Sequence, residues 1–290
     1  MSKFKLFVVA ALSWFLISSS GASITFDAAE RQTFYSAVVT SAVLTSAVDD
    51  MPIEAVSHSD AVAKRNARAA RSAVFIREDV EIKDIRGNER EVKGASTGSG
   101  TVIAVRWDGK SSLILTAHHV CTNSYDVGDV VVYDRFVITS TVKKLVTFDG
   151  DEMDVRVLHE DRDNDLCVME ADGKAGLVAP LTSYYPPLGA SVYTAGAPSG
   201  QWGKGTANIV MGIFSGVVEE DISYSGYVGK KFLQCSIPTI GGMSGSSIYY
   251  RGKVIGVLVA GHTSYEHLMY GPGPGVTKKA VEAAMEIWNK

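Results

Sequence analysis

The chain of 290 residues is 46% hydrophobic and 21% charged, which is the composition of a globular protein with a sizeable core. Its formal net charge of −4 indicates neither nucleic acid nor an anionic membrane as a partner. The three cysteines include no C-x-x-C pair and fit no zinc site, so we expect no metal and no cofactor.

The amino terminus has the layout of a secretory signal peptide. Lys3 and Lys5 give a basic start, residues 6–17 form a short apolar run, and residues 20–22 supply the small side chains of a cleavage site. A membrane-spanning helix needs about 20 apolar residues. We therefore expect residues 1–22 to be a signal peptide, the protein to be secreted or periplasmic, and no stable membrane partner beyond this segment. An uncleaved amino-terminal anchor is the alternative.

Residues 23–71 form an extension of different composition. They are rich in Ala, Ser, Thr and Val and end in the basic stretch AVAKRNARAAR. The sequence does not distinguish a propeptide from a tether or a linker. From Ser72 onward, short β-like runs alternate with turn signals. The first clear pair, TVIAV and SSLILTA, predicts a hairpin with Asp108-Gly109 at its tip.

Residues 72–290 are predicted to be one β-rich domain. Many short strands at near-regular spacing indicate an all-β barrel or sandwich. A single amphipathic helix closes the chain, with Val281, Ala284, Met285 and Trp288 at helical spacing.

The cysteine count leaves the disulfide pairing open. Cys121, Cys167 and Cys235 allow at most one intramolecular disulfide and leave one thiol over. The sequence does not say which pair forms.

Three segments carry residues that could do chemistry. LTAHHVC places His118 and His119 after an apolar strand, NDLCVM places Asp165 before another, and GGMSGSS surrounds Ser244 with glycines. Each segment alone also fits a structural histidine, a solvated turn or a plain glycine-serine turn. Nucleophilic catalysis by serine requires a hydroxyl, an imidazole and a carboxylate, and the three segments together supply all of them.

In this order, the segments resemble those of trypsin-like, chymotrypsin-fold serine peptidases. TAHHV is similar to their T-A-A-H or T-N-x-H segment, NDLCVM to their D-[IL]-A strand start, and GGMSGSS to their G-[DN]-S-G-[GS] segment. The match runs from residue 72 to the end. The bacterial Deg/Htr-type and glutamyl-endopeptidase-type enzymes resemble the chain most, although we expect no PDZ domain after Lys290.

The resemblance implies a fold of two packed six-stranded antiparallel β-barrels with a C-terminal α-helix. It also implies a secreted serine endopeptidase that cuts polypeptide substrates through an acyl-enzyme intermediate. Ser244 is then the nucleophile, His119 the general base and Asp165 the residue that orients the base. The backbone amides of Gly242 and Ser244 form the oxyanion hole, the pair of donors that binds the negatively charged oxygen of the intermediate.

The resemblance further assigns the pocket for the residue before the scissile bond, called P1. Pro238 and Thr239 fall at its base and Gly261 and Gly275 along its walls, while Leu258 stands where glutamyl endopeptidases have a histidine. No carboxylate is present to attract Arg or Lys. We therefore expect a neutral or apolar P1 residue.

Two alternatives remain open at this point. The first is a catalytically silent member of the same fold that acts as a secreted or virion-associated binding protein. The second is an unrelated β-sandwich adhesin or virion surface protein in which the three segments match by chance. The histidine would then lie far from the serine. The oligomeric state is not indicated by the sequence.

Overall fold

A computed structural model describes residues 53–124, 126–131, 136–222, 227–262 and 265–290. The predicted signal peptide and the extension up to residue 52 lie outside the described residues. Every described strand belongs to one compact unit, His58–Lys290. The described helices are α1 (Ile53–Ser72), α2 (His118–Cys121) and α3 (Pro274–Trp288). None of them has both the length and the apolar character needed to cross a bilayer.

The first sheet is a closed barrel. Its strands are β1 (Ala73–Asp84), β2 (Glu89–Val105), β3 (Ser111–Thr116), β4 (Val130–Val131), β5 (Phe136–Val146), β6 (Glu152–Asp161) and β7 (Leu166–Asp172). They are hydrogen-bonded in the order β1-β2-β3-β7-β6-β5-β4, and β1 also pairs with β5. This extra pairing closes six strands into a barrel, to which the two-residue β4 adds a short edge. The prediction of a first six-stranded antiparallel barrel is confirmed.

The predicted hairpin is the β2–β3 connection of this barrel. β2 and β3 pair antiparallel, with Thr101 opposite Leu115. Gly109 in the connecting turn has a φ of +69°, a left-handed conformation that glycine adopts without steric cost. The side chains of β3 are buried along its whole length, which explains why Leu113, Ile114 and Leu115 follow one another without alternating with polar residues.

The second sheet differs from the predicted six-stranded barrel. Its strands are β8 (Ser191–Gly196), β9 (Asn208–Ile222), β10 (Tyr227–Cys235), β11 (Ser247–Tyr250), β12 (Lys253–Val257), β13 (Ala260–His262) and β14 (Tyr265–Pro272). All seven are paired in the order β12-β11-β8-β9-β10-β14-β13. Within the described residues no ladder joins the end strands β12 and β13.

The chain itself bridges the two ends of this second sheet. β12 and β13 are consecutive in sequence, separated only by Leu258 and Val259. The Leu258 N–H donates to the Ser246 carbonyl at 2.9 Å, and the Val259 N–H donates to the Tyr270 carbonyl at 3.1 Å. Because these two amides bond across the bend, the chain passes from one end of the sheet to the other without forming an additional strand pair.

The C-terminal helix packs where the sequence pattern predicts. Val281, Ala284 and Trp288 of α3 are buried, and Met285 is half-buried against the core. The indole N–H of Trp288 donates to Glu170 of β7 at 2.8 Å. This bond satisfies a buried polar atom and fixes the end of α3 on the barrel.

The cysteine pairing that the sequence left open is resolved. Cys121 and Cys167 form a disulfide. Cys235 is a free, fully buried thiol at the end of β10. Burial raises the pKa of the Cys235 thiol to about 12, because the interior disfavours the charged thiolate.

Candidate active site

His119 stands at the open end of the first barrel. The buried strand β3 ends at Thr116, and the single helical turn α2 starts two residues later. The chain therefore leaves the core at this point, and 46% of the His119 side chain is exposed. A histidine in this position is anchored by its backbone while its ring remains accessible.

Asp165 lies directly before β7 in an unusual backbone conformation. It follows the short 3-10 helix Arg162–Asn164 and has a φ of +51°, in the left-handed region that Asp tolerates better than most residues. Its side chain is almost fully buried, at 2% exposed. A buried carboxylate is costly unless it is paired and hydrogen-bonded, so the partners of Asp165 are decisive for its role.

Those partners are on the histidine segment. Asp165 Oδ2 lies 2.7 Å from His119 Nδ1, and Asp165 Oδ1 accepts the backbone N–H of His119 at 2.9 Å. Since an ionised carboxylate can only accept hydrogen bonds, Nδ1 carries a proton, and the neutral form of the ring is therefore the Nδ1-protonated tautomer. The opposite nitrogen, Nε2, is then unprotonated and able to take up a proton.

The neighbouring histidine has a different environment. The His118 backbone N–H donates to the Asp165 carbonyl at 3.1 Å. Its ring nitrogen Nε2 lies 3.4 Å from Glu160 of β6, and only 17% of the side chain is exposed. The structure therefore separates the two histidines, with His118 packed against the barrel.

A covalent link reinforces the contact between His119 and Asp165. Cys121 lies two residues after His119 and Cys167 two residues after Asp165, and the two cysteines form the disulfide. Both are fully buried. The disulfide therefore ties α2 to β7 immediately beside the imidazole–carboxylate pair.

The Ser244 loop, residues 236–246 between β10 and β11, packs against the end of the first barrel at which His119 lies. The Ser99 N–H donates to the Ser244 carbonyl at 2.8 Å. Gly245 has a φ of +86°, and a Cβ there would lie 2.1 Å from both the Ser99 carbonyl oxygen and Thr116 Oγ1. Only glycine permits this approach. This close approach places the backbone of Gly245, next to Ser244, against Thr116. Thr116 is the last residue of β3 and lies three residues before His119.

The two amides assigned to the oxyanion hole have no internal acceptor. Within the described part of the chain, neither the Gly242 N–H nor the Ser244 N–H donates to another protein group. Gly242 has a φ of +88°, and its carbonyl accepts the Ser99 hydroxyl at 2.8 Å. Ser99 Oγ also accepts the Ala197 N–H at 2.9 Å. One buried serine hydroxyl therefore holds both the Gly242 carbonyl and the Ala197 amide in place.

One contact of the predicted triad is not made in this structure. The half-buried Ser244 hydroxyl forms no hydrogen bond with the His119 ring among the described residues. Contacts between a nucleophile and its base are often looser without substrate. The structure thus joins His119 to Asp165 and brings the Ser244 loop beside them.

The predicted P1 pocket residues are only partly brought together. A Cβ on Gly261 would lie 2.7 Å from Thr239 Oγ1, so these two residues are neighbours. Pro238 is exposed and directly precedes Thr239. Leu258, in contrast, is 3% exposed and packs in a core cluster that includes Met243.

Gly275, the remaining residue assigned to the pocket, is not on a strand. It lies in the first turn of α3. Gly261 of β13 pairs with Met269 of β14. A Cβ added to Gly261 would lie 4.0 Å from the Leu268 carbonyl oxygen. Leu268, which the sequence analysis did not single out, therefore lies beside Gly261.

Ser99 is a second residue that the sequence analysis missed. It makes four hydrogen bonds to the segments around the site, with Ala197, Gly242, Ser244 and Thr116, but its sequence context, GSGTVI, indicates only a strand. No group of three or more His, Cys, Asp or Glu side chains in the described part of the chain is arranged to hold a metal ion.

A closed antiparallel barrel, a second antiparallel sheet and a closing helix make this an all-β protein of two sheets, with an imidazole–carboxylate pair at the end of the first. A family model described as the trypsin-like peptidase domain matches residues 98–257. The chain belongs to this family.

Solved structures with the same fold are HtrA-type proteases. The chain is similar to the HtrA-type protease AlgW with a decapeptide, with a TM-score of 0.60 and 17% identity over 77% of this chain and 67% of that one. It is also similar to a variant of AlgW with a tripeptide, with a TM-score of 0.56 and 17% identity over 77% of this chain and 63% of that one. The chain thus spans about two thirds of their length. A search of curated proteins found no match.

Proposed function

We propose that the protein is a serine endopeptidase that hydrolyses polypeptides through Ser244, His119 and Asp165. Membership of the trypsin-like peptidase family supports a peptidase. The observation that carries the triad is the double contact of Asp165 with His119, at 2.7 and 2.9 Å, beside the Ser244 loop. The peptides in the AlgW structures support polypeptide substrates.

The geometry supports a mechanism in two halves. Ser244 Oγ attacks the scissile carbonyl carbon as its proton passes to His119 Nε2, and Asp165 stabilises the resulting imidazolium. The negative charge on the carbonyl oxygen is bound by the amides of Gly242 and Ser244, which have no other acceptor among the described residues. The C–N bond then breaks, and the leaving amine takes the proton from His119.

The second half returns the enzyme to its starting state. A water molecule gives a proton to His119 Nε2 and attacks the acyl-enzyme carbonyl. The ester bond to Ser244 breaks, the serine recovers its proton from the imidazolium, and the carboxylic acid product leaves. Throughout, the disulfide and Asp165 keep the imidazole in one orientation.

A neutral or apolar P1 residue fits the pocket neighbourhood. Pro238, Thr239, Gly261 and Leu268 carry no charge that could pair with a charged P1 side chain. Profiling cleavage of a peptide library by mass spectrometry tests this preference. A profile dominated by Lys, Arg or Glu at P1 would contradict it.

We also propose that the protein acts outside the cytoplasm, in the periplasm or after secretion. The Cys121–Cys167 disulfide supports this location, since structural disulfides form in oxidising compartments. Expression of the full chain followed by fractionation and mass measurement tests it. A chain that begins after residue 22 is expected. A full-length chain held at the membrane would favour the anchor.

Labelling with a fluorophosphonate probe tests the nucleophile. We expect labelling of the wild type and none of Ser244→Ala. Ser246→Ala is the matched control, because Ser246 lies two residues away and its buried hydroxyl has no hydrogen-bond partner among the described residues. If the folded wild type is not labelled, the catalytically silent binding protein becomes the better interpretation.

A further inference from the structure

A small cavity lies between α1 and the second sheet, at the turn that joins β11 to β12. Its volume is about 230 Å³. Basic and aromatic side chains from both sides line it, namely Arg65, Arg68, Tyr193, Tyr249, Arg251 and Lys253. No acidic residue is among the lining residues. Four of the lining residues are therefore basic, in a chain whose net charge is −4.

These four cations are not neutralised by the protein. Within the described residues, none of the four forms an ion pair. Arg68 donates to the Val178 carbonyl at 3.0 Å, and the Arg251 guanidinium lies 5.2 Å from the centre of the Tyr250 ring. Like charges around a partly enclosed space repel each other, and a bound anion would offset this repulsion.

Two buried polar groups at the cavity also lack partners. Arg65 Nε is buried and makes no hydrogen bond in the described part of the chain. The Tyr193 hydroxyl is likewise buried and, although it lies near the Gly252 backbone, makes no hydrogen bond of normal geometry. A buried polar group without a partner is costly, and more so when it is charged. An ordered water or a bound ion can supply the partner that such groups lack.

We propose that this cavity binds a small multivalent oxyanion, namely inorganic phosphate or a phosphate monoester. Guanidinium groups bind phosphate oxygens through paired N–H donors, and the unpartnered Arg65 Nε is such a donor. Sites for drug-sized ligands occupy roughly 300–1,000 Å³. At about 230 Å³ the cavity is suited to a smaller molecule. The Tyr193 and Tyr249 rings, stacked 5.2 Å apart, form an aromatic wall for a small organic group.

Bound anion would connect α1 to the second sheet. Arg65 and Arg68 belong to α1, whereas Arg251 and Lys253 belong to the β11–β12 turn and β12. A ligand that contacts both sides binds only when α1 is docked. It therefore raises the stability of the docked state in proportion to its occupancy.

Titration calorimetry on the whole protein tests this inference. Inorganic phosphate and phenyl phosphate are titrated separately at constant ionic strength, with chloride as the comparison anion. We expect saturable phosphate binding and no saturable chloride binding. Tighter binding of phenyl phosphate would identify an ester as the better ligand, and tighter binding of inorganic phosphate would identify the free ion.

Variants locate the site. Arg65→Gln and Arg251→Asn should each weaken phosphate binding about tenfold, since a charge-assisted hydrogen bond contributes roughly 1.5–3 kcal/mol. Arg251 has a φ of +49°, which Asn tolerates, so this variant tests the site even if Arg65→Gln does not fold. Lys110→Gln, on the exposed β2–β3 turn, is the control for loss of one charge.

Three results would overturn the inference: no saturable binding of either phosphate, an equal loss in Lys110→Gln, or unchanged binding in both arginine variants. None of these depends on peptidase activity, so the proposed function would be unaffected.

Discussion

Asp165 holds His119 at two points, because one carboxylate oxygen accepts the backbone N–H at 2.9 Å and the other lies 2.7 Å from ring atom Nδ1. The first contact positions the residue and the second sets the orientation and tautomer of its ring. A carboxylate that only balanced charge would not need both. This arrangement makes Asp165 the most informative residue for testing the proposed mechanism.

Replacing Asp165 by Asn should reduce turnover about 10⁴-fold, as the same change does in the best-studied serine peptidase triad. The amide can donate a proton to Nδ1 and so favours the wrong tautomer. Turnover of a peptide substrate, measured together with the thermal midpoint, checks this. Asp163→Asn is the matched control, because the Asp163 side chain is 90% exposed. Full turnover in Asp165→Asn would argue against its role.

Replacing Gly245 by Ala should abolish probe labelling of Ser244. A Cβ would lie 2.1 Å from two oxygen atoms, those of Ser99 and Thr116, and the φ of +86° disfavours alanine. The loop must therefore move away from the end of β3. Gly241→Ala provides the comparison, since a Cβ there meets nothing within 4 Å. Gly241→Ala should be labelled and Gly245→Ala should not. Equal labelling rates in the two variants would show that the Ser244 loop tolerates displacement.

Removal of the disulfide should lower both stability and turnover. The bond closes a loop with a sequence separation of 46. A loop of this size corresponds to about 4 kcal/mol in the chain-entropy model. We expect Cys121→Ser/Cys167→Ser to unfold at lower denaturant concentration and to lose turnover. A reducing agent should reproduce the effect in the wild type.

Two controls accompany the disulfide experiment. Cys235→Ala keeps the disulfide and should remain sensitive to the reducing agent, whereas the double variant should be insensitive to it. If the double variant keeps full turnover at temperatures where it is folded, the disulfide serves stability alone.

The contact between Glu170 and α3 should make stability depend on pH. Burial alone raises the pKa of Glu170, but hydrogen bonds from Trp288, Arg156 and Ser111 outweigh it and the pKa is lowered from 4.5. A lowered folded-state pKa means that the carboxylate stabilises the fold fully above pH 4.5 and that this contribution disappears as the pH falls through the folded-state value.

Thermal midpoints measured across this pH range test the prediction. Glu170→Gln should be less stable than wild type at neutral pH, and the difference should shrink as the pH falls below 4.5. Glu286→Gln, an exposed substitution on α3, should show no such convergence. A difference that stays constant with pH would mean that the glutamine variant loses packing rather than a charged contact.

The sequence predicts local structure well, because strands and helices leave continuous patterns of apolar residues. The apolar run before His119, the run after Asp165 and the helical spacing around Trp288 each follow from a single segment. The sequence did not indicate the seven-stranded arrangement of the second sheet. The two ends of this sheet are connected through Leu258 and Val259, whose amides bond across a bend, and no pattern of alternation in the sequence indicates such bonds.

Register and long-range pairing account for the remaining differences. Gly275 belongs to a stretch with glycines at 271, 273 and 275. Composition cannot indicate which residue lies opposite Gly261, because that depends on the pairing of β13 with β14. The Cys121–Cys167 bond is one of three possible pairings. The cavity between α1 and the second sheet is lined by Arg65 and Arg251, which are far apart in the chain. Neither segment alone therefore predicts it.

The free thiol of Cys235 can be used to measure how often the second sheet opens. Its raised pKa of about 12 and its burial keep it from attacking a disulfide or pairing between molecules. An alkylating reagent can reach it only when the second sheet opens. The rate at which this sulfur is modified therefore reports how often that half of the molecule comes apart under native conditions.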